Sequence, residues 1–218
     1  MCIRDRNCAK FPAYVSRYES GSHNTVNRRI RVLRRASPTP RERVVRQAKR
    51  IKLLLMDVDG VLNDGRFGLL SQPDGATTEL QFFHSRDGAG LKLLRRAGLR
   101  TGLITGRKSA AVAARAQELN IDFIRQDAFE KLPAYEDIKR AASLTDAEIA
   151  FIGDDVTDLP LLRRVGLAVA VATAHPETKR VAHYITRAPG GHGAVREVCD
   201  LLLRAQGKYQ KILRAFAR

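Results

Sequence analysis

The chain lacks any run of about 18 apolar residues, the length a helix needs to cross a bilayer. Residues 1–20 also lack the apolar stretch of a secretory signal. Both absences make the cytoplasm the expected location and leave no membrane partner. Cysteine is scarce. Cys2, Cys8 and Cys199 are too few and too far apart for a disulfide framework or a zinc knuckle, so they read as free thiols in a reducing compartment. No helix-turn-helix, zinc or aromatic-stacking pattern is present to accompany the net charge of +16.

That charge is unevenly placed. Of the 39 basic and 23 acidic residues, 14 and 3 lie in residues 1–50, giving +11 there and +5 in the remainder. Residues 1–40 are Arg-rich and aperiodic, and they close on Ser37-Pro38-Thr39-Pro40, the composition of a linker or a disordered leader. Met1-Cys2-Ile3-Arg4-Asp5-Arg6 reads as a translated sequencing-adapter remnant, which would move the true start downstream. The division expected is a leader over 1–40 and one domain over 41–218. Nucleic-acid binding through residues 1–50 is the rival from another functional class, and a solvated leader is favoured over it.

From Arg41 onward the pattern becomes regular. Residues 41–50 read as a short basic helix. Residues 51–56 form an apolar run that stops at Asp57, as a strand buried on both faces would. Residues 66–83 read as a β-hairpin turning at Pro73-Asp74-Gly75. Helices are expected over 87–97, 108–119, 130–142, 158–165 and 193–205, with one more at the end. Further strands are expected at 99–104, 121–124, 149–152 and 167–171, with a short one at Tyr184-Ile185. Strands alternating with helices imply a parallel sheet. The fold class is α/β, a Rossmann-like three-layer sandwich with a central parallel sheet and a β-hairpin insertion.

In such sheets the site lies at the carboxyl ends of the strands. Asp57 and Asp59 follow the first strand, Thr105 the second, and Asp154 and Asp155 the fourth. So many carboxylates at neighbouring strand ends repel one another unless a hard divalent cation joins them, and Mg²⁺ is the usual choice. Singly, each Asp would serve as a cap or a turn residue. Thr105 offers a hydroxyl to an oxyanion, and Lys131 can neutralise a phosphate together with a nucleophile.

Asp57-Val-Asp-Gly60, Thr105, Lys131 and Gly153-Asp-Asp-Val-Thr-Asp158 resemble, in order, the four motifs of the haloacid dehalogenase superfamily. The second Asp of the first motif is the phosphatase form. The resemblance implies that Asp57 is the nucleophile and Asp59 the general acid and base. It also implies that Thr105 and Lys131 bind phosphoryl oxygens. Mg²⁺ would be held by Asp57, the backbone carbonyl of Asp59 and Asp154, with Asp155 and Asp158 orienting the metal site and Lys131. Thr105 follows Asp57 by 48 residues and Lys131 follows Thr105 by 26, so neither interval holds a cap domain. A neighbouring subunit is expected to cover the site, with the apolar hairpin as the assembly element.

Further runs are similar to the 3-deoxy-D-manno-octulosonate 8-phosphate phosphatase family: Phe83-His-Ser-Arg-Asp-Gly88, Ile104-Thr-Gly-Arg107, Ala174-His-Pro-Glu177, Tyr184-Ile-Thr-Arg187, Gly190–Cys199 and Ala205–Lys208. That family implies a capless, magnesium-dependent homotetramer acting on a sugar-acid phosphate that leads to lipopolysaccharide. It implies substrate contacts from a loop His84, Ser85, Arg86, Asp87 and Gly88, and from Lys92, Arg107 and Arg115, some across a subunit boundary. Arginine forks suit a ligand carrying both carboxylate and phosphate. Three features depart from the family: Asn63 in place of Thr or Ser, a hairpin about four residues longer, and His192 in place of Arg. Little effect is expected of Asn63. His23, His175 and His183 are expected to be structural or solvated. The nearest alternative is the same chemistry on another sugar-acid phosphate, such as a nine-carbon ulosonate 9-phosphate. A catalytically dead scaffold is disfavoured by the intact motif residues.

Overall fold

The structure, a computed structural model, describes residues 38–216. The expectations for residues 1–37, His23 among them, lie outside that range. Helix α1 (Pro40–Arg50) begins inside the segment expected to be linker. The Thr39 hydroxyl accepts from Glu42 N–H, and the Glu42 carboxylate accepts from Thr39 N–H. Pro40 at the first helical position has no N–H to leave unsatisfied. The helix therefore starts one residue before the expected 41.

Strands β1 (Leu53–Met56), β4 (Arg100–Ile104), β5 (Phe123–Arg125), β6 (Ile149–Gly153), β7 (Leu167–Ala170) and β8 (Tyr184–Ile185) form one six-stranded sheet. Its order is β5-β4-β1-β6-β7-β8, and every pairing is parallel. The antiparallel hairpin of β2 (Phe67–Ser71) and β3 (Thr77–Gln81) is separate from it. Strand β1 is central, and its four residues are fully buried because both faces are covered. Alternation divides them. Leu54 and Met56 join a core with α1, α2 (Ser85–Arg96), α3 (Ala110–Leu119) and α7 (Ala194–Ala205). Leu53 and Leu55 join a second core with α4 (Lys131–Ala142) and α5 (Leu159–Leu162). Each fully buried Leu contributes about 1.5–3 kcal/mol. The result is the three-layer α/β sandwich, with no cap domain among the described residues.

Two local readings change. The helix expected over 158–165 is only the four residues of α5, preceded by a 3₁₀ turn at Val156–Asp158. Helix α6 (Pro176–Val181) was not anticipated. His175 caps it, Nδ1 accepting from Glu177 N–H at 3.3 Å. His183 is likewise structural, since its Nδ1 accepts from Ala168 N–H at 2.9 Å. The chain closes on α8 (Tyr209–Phe216). No described helix is long and apolar enough to cross a membrane.

Candidate active site

The strand order reverses at β1, so a crevice opens where β1, β4 and β6 end. Asp57 continues β1, and its N–H donates to Ile152 O at 3.0 Å. Val58, Val61 and Leu62 are buried and anchor the following turn, and Asp57 itself is only 7% exposed. Asp57 Oδ1 accepts from Val58 N–H at 2.6 Å, and its Oδ2 faces Lys131 Nζ at 2.7 Å. Lys131 Nζ also meets Asp158 Oδ1 at 2.6 Å. Asp158 Oδ2 accepts from the N–H groups of Asp154 (2.9 Å) and Asp155 (3.3 Å). The buried lysine is thus held between a carboxylate on the β1 loop and one that organises the β6 loop.

Carboxylate oxygens of Asp57, Asp154 and Asp158 lie within 4.8 Å of one another. Against these three acids stands one ammonium, Lys131. Burial pushes the Asp57 carboxyl up to about 6, with Asp158 adding to the rise and Lys131 opposing it. Burial, then Asp57 and Asp158, push Asp154 up to about 7. Burial pulls Lys131 down, but Asp57 and Asp158 outweigh it and hold it above its ordinary value. Asp154 Oδ1 is buried and has no hydrogen-bond partner. An orphaned oxygen in a cluster short of positive charge fits a divalent cation with oxygen ligands. Asp158 belongs to the cluster by distance, but it is spent on holding Lys131 and the N–H groups of the β6 loop. Asp154, with its unpartnered Oδ1, is the side chain left free to ligate, and Asp57 lies beside it in the same cluster. Gly60 (φ +84°) makes room, because a Cβ there would lie 2.1 Å from Asp154 Oδ2.

Asp59 turns away from this cluster. Its Oδ1 accepts from Asn63 Nδ2 at 2.9 Å and lies 3.5 Å from Arg107 Nη1. Its side chain is thus not placed among the acidic cluster, which leaves its backbone carbonyl for a metal. Thr105 is buried beyond β4; its N–H donates to Arg125 O at 2.9 Å, and its hydroxyl accepts from Arg107 N–H at 3.4 Å. Asp155 does not reach Lys131: it is exposed, and its Oδ1 accepts from Val156 N–H at 2.8 Å, capping the 3₁₀ turn. Of Asp155 and Asp158, both expected to orient the site, only Asp158 contacts Lys131.

The expected loop at His84–Gly88 is the cap and first turn of α2. His84 Nδ1 accepts from Arg86 N–H at 3.2 Å. Asp87 is fully buried and far in sequence from what it holds: its oxygens accept from the N–H groups of Gly193 (3.1 Å) and Arg196 (2.7 Å) at the start of α7. A carboxylate so engaged stabilises a helix N-terminus rather than meeting a ligand. Gly88 is buried where a Cβ would lie 2.5 Å from Arg115 Nη2. Ser85 and Arg86 are exposed. Arg86 lines a groove of about 1010 Å³ with Arg187, His192 and Arg196, and no residue of the acidic cluster forms its walls. Lys92 and Arg115 both pair with Glu118, at 3.4 and 2.6 Å. Of the expected substrate residues, Asp59, Arg107 and Lys131 therefore gather at the strand ends, and the rest lie on α2 and α3.

Asn63, expected to stand in for Thr or Ser with little effect because it can still hydrogen-bond, is fully buried and its side chain makes four hydrogen bonds. Glu79, Gln81 and Ser109 escaped the sequence reading altogether. Glu79 pairs with Arg107. Hydrogen bonds from Ser109 and Gln81 hold the Glu79 carboxyl below its ordinary value, against a smaller opposing effect of burial. A charged residue and an amide two apart in a strand otherwise made of Thr and Leu were the available signal.

The model of the haloacid dehalogenase-like hydrolases matches residues 110–197, a stretch that holds Lys131, Asp154 and Asp158 of this site. The chain is 43% identical over 165 residues to the 3-deoxy-D-manno-octulosonate 8-phosphate phosphatase of Escherichia coli, covering 76% of this chain and 86% of that one. The Moraxella catarrhalis enzyme, solved with magnesium, phosphate and the sugar acid, is 40% identical, with a TM-score of 0.74 over 79% of this chain and 97% of that one. The cobalt-bound Haemophilus influenzae enzyme is 35% identical, with a TM-score of 0.72 over 79% and 99%. The chain belongs to the 3-deoxy-D-manno-octulosonate 8-phosphate phosphatase family.

Proposed function

We propose that the protein hydrolyses 3-deoxy-D-manno-octulosonate 8-phosphate to the free sugar acid and phosphate, supplying a lipopolysaccharide precursor. The observation that carries this reading is the paired Asp57–Lys131 at the end of the central strand, beside the unpartnered oxygen of Asp154. Family membership supplies the substrate. The site residues fit Mg²⁺, with Asp57, Asp154 and the backbone carbonyl of Asp59 as its ligands. When bound, Mg²⁺ supplies positive charge between the nucleophile and the phosphoryl oxygens.

The Asp57 carboxylate attacks phosphorus and forms an aspartyl-phosphate. As the ester P–O bond breaks, Asp59 gives its proton to the leaving sugar oxygen. Asp59, now ionised, takes a proton from the water that attacks the acyl phosphate, which frees Asp57 and releases phosphate. Lys131, ion-paired to Asp57 at 2.7 Å, offsets negative charge on the nucleophile and on the phosphoryl oxygens. The Thr105 hydroxyl donates to a phosphoryl oxygen. Arg107, whose Nη1 faces Asp59 Oδ1 at 3.5 Å without a hydrogen bond, presents positive charge to the anionic substrate.

Arg86, Lys92 and Arg115 lie on surface helices, which favours substrate contacts completed by neighbouring copies. The hairpin supports the same reading, since Phe67, Leu69, Leu70 and Leu80 are all at least 45% exposed. We take the active form to be a cytoplasmic homotetramer. Phosphate release from the eight-carbon substrate, measured with Mg²⁺ and with chelator, is the test. Activity that survives chelation, or a higher kcat/KM on a nine-carbon ulosonate 9-phosphate, would overturn the metal or the substrate assignment respectively.

A further inference from the structure

Strand β3 presents two faces. Glu79 and Gln81, two residues apart, share one face, and Leu80 lies on the other. The Glu79 face is not spent on packing alone. Gln81 Oε1 accepts from Asn63 Nδ2 at 3.0 Å, while Gln81 Nε2 donates to Glu79 Oε1 (3.0 Å) and Ser109 Oγ (3.2 Å). Ser109 Oγ donates to the second oxygen of Glu79 at 2.5 Å. Glu79 in turn grips Arg107, whose other terminal nitrogen faces Asp59. Two routes thus leave the hairpin, one through Asn63 and one through Arg107, and both end on Asp59 Oδ1.

The amide of Asn63 can sit only one way round. Its Oδ1 accepts from the N–H groups of Gly60 (3.1 Å) and Gly65 (2.8 Å), so its two Nδ2 hydrogens must point to Asp59 and Gln81. Fixing one oxygen of Asp59 sets the direction of the other. No described donor reaches Asp59 Oδ2.

We propose that Glu79 and Gln81 are positioning residues of the hairpin that aim Asp59 as proton donor, Gln81 through Asn63 and Glu79 through Arg107. The inference rests on the reading of Asp59 as general acid. In the step concerned, the Asp57 O–P bond forms, the ester P–O bond breaks, and the Asp59 proton moves to the departing oxygen. Gln81→Leu removes the acceptor that holds Asn63, and Glu79→Gln weakens the grip on Arg107. Either change leaves Asp57, Lys131 and Asp154 untouched.

The test compares phenyl phosphate with 4-nitrophenyl phosphate, two small substrates that make no use of sugar recognition. The nitrophenolate leaves without help, whereas phenolate gains from a proton. For Gln81→Leu and for Glu79→Gln, kcat/KM on phenyl phosphate is expected to fall about tenfold and on 4-nitrophenyl phosphate by no more than about twofold, a partial loss of general-acid assistance. Leu80→Ser, on the opposite face, is expected to keep the wild-type ratio. Equal losses on both substrates in either folded variant would overturn the inference. Wild-type protein that hydrolyses neither ester nor the sugar phosphate would instead overturn the function on which it rests. If Gln81→Leu does not fold, Glu79→Gln carries the comparison.

Discussion

The strand-end crevice and the hairpin beside it break opposite rules of protein structure. In the crevice, charge is buried: Asp57, Lys131 and Asp158 are each less than 10% exposed. On the hairpin, apolar surface is exposed, with Leu69 at 66% and Leu70 at 54%. Each violation points to something outside the folded monomer. Buried acids short of positive charge call for a cation. Exposed leucines on an unpaired two-stranded sheet call for a protein surface. The difference teaches that buried charge asks for an ion while exposed apolar surface asks for a protein partner, which under the proposed function is a second copy of the chain.

The sharpest way to break the crevice is Asp57→Asn. It removes the nucleophile without changing shape, and turnover should fall on the order of 10⁴-fold or more, read by phosphate release. Residual activity near wild type would sink the nucleophile assignment. Lys131→Met comes next. It leaves Asp57 and Asp158 buried without their counter-charge and should cost about 3–5 kcal/mol in urea unfolding at neutral pH.

The third prediction concerns pH. Asp154 has a folded-state pKa of about 7, raised from 3.8, so the folded protein binds a proton there more tightly than the unfolded chain does. In chelator, the stability from this group is fully present below about pH 4 and is lost as pH rises through about 7. The gain in Tm on adding Mg²⁺ should therefore grow across that window. Asp154→Asn should make the chelated profile shallower, leaving the part due to Asp57, whose carboxyl is also raised, to about 6, and a Tm gain that is flat with pH in the wild type would contradict the picture. The smallest effect is reserved for the hairpin. Leu70→Ser with Leu80→Ser should lower the mass seen by light scattering while shifting Tm little, since exposed substitutions change stability by no more than about 0.5 kcal/mol each. An unchanged mass would remove the hairpin from the assembly.

Much of this was legible beforehand where a local rule governs. Leu53–Met56 is an unbroken apolar run, and such a run ending in Asp-Val-Asp-Gly reads as a central strand with a site at its end. The sheet, its six strands and the strand-end acids followed from that. What stayed hidden depends on direction and long-range pairing. Periodicity cannot say that Asp87 turns inward to hold the start of α7, more than a hundred residues away. Nor can it say that Asp155 caps its own turn while Asp158 reaches Lys131. The cluster at Glu79, Gln81 and Ser109 was invisible because two segments some thirty residues apart supply it. Helix α6 escaped because six residues are too few to show a period.

The catalytic loop is also clasped from the far end of the chain. Gly191 N–H donates to Val61 O at 2.9 Å, and a Cβ at Gly190 would lie 1.7 Å from Gly60 O. The turn bearing Asp57 and Asp59 is thus completed by residues some 130 positions later in sequence. During synthesis the chain carries its nucleophile early and its clasp late. A nascent chain lacking residues 190–191 has the motif without the support that shapes it, so the loop that attacks phosphate matures only when nearly the whole domain has emerged.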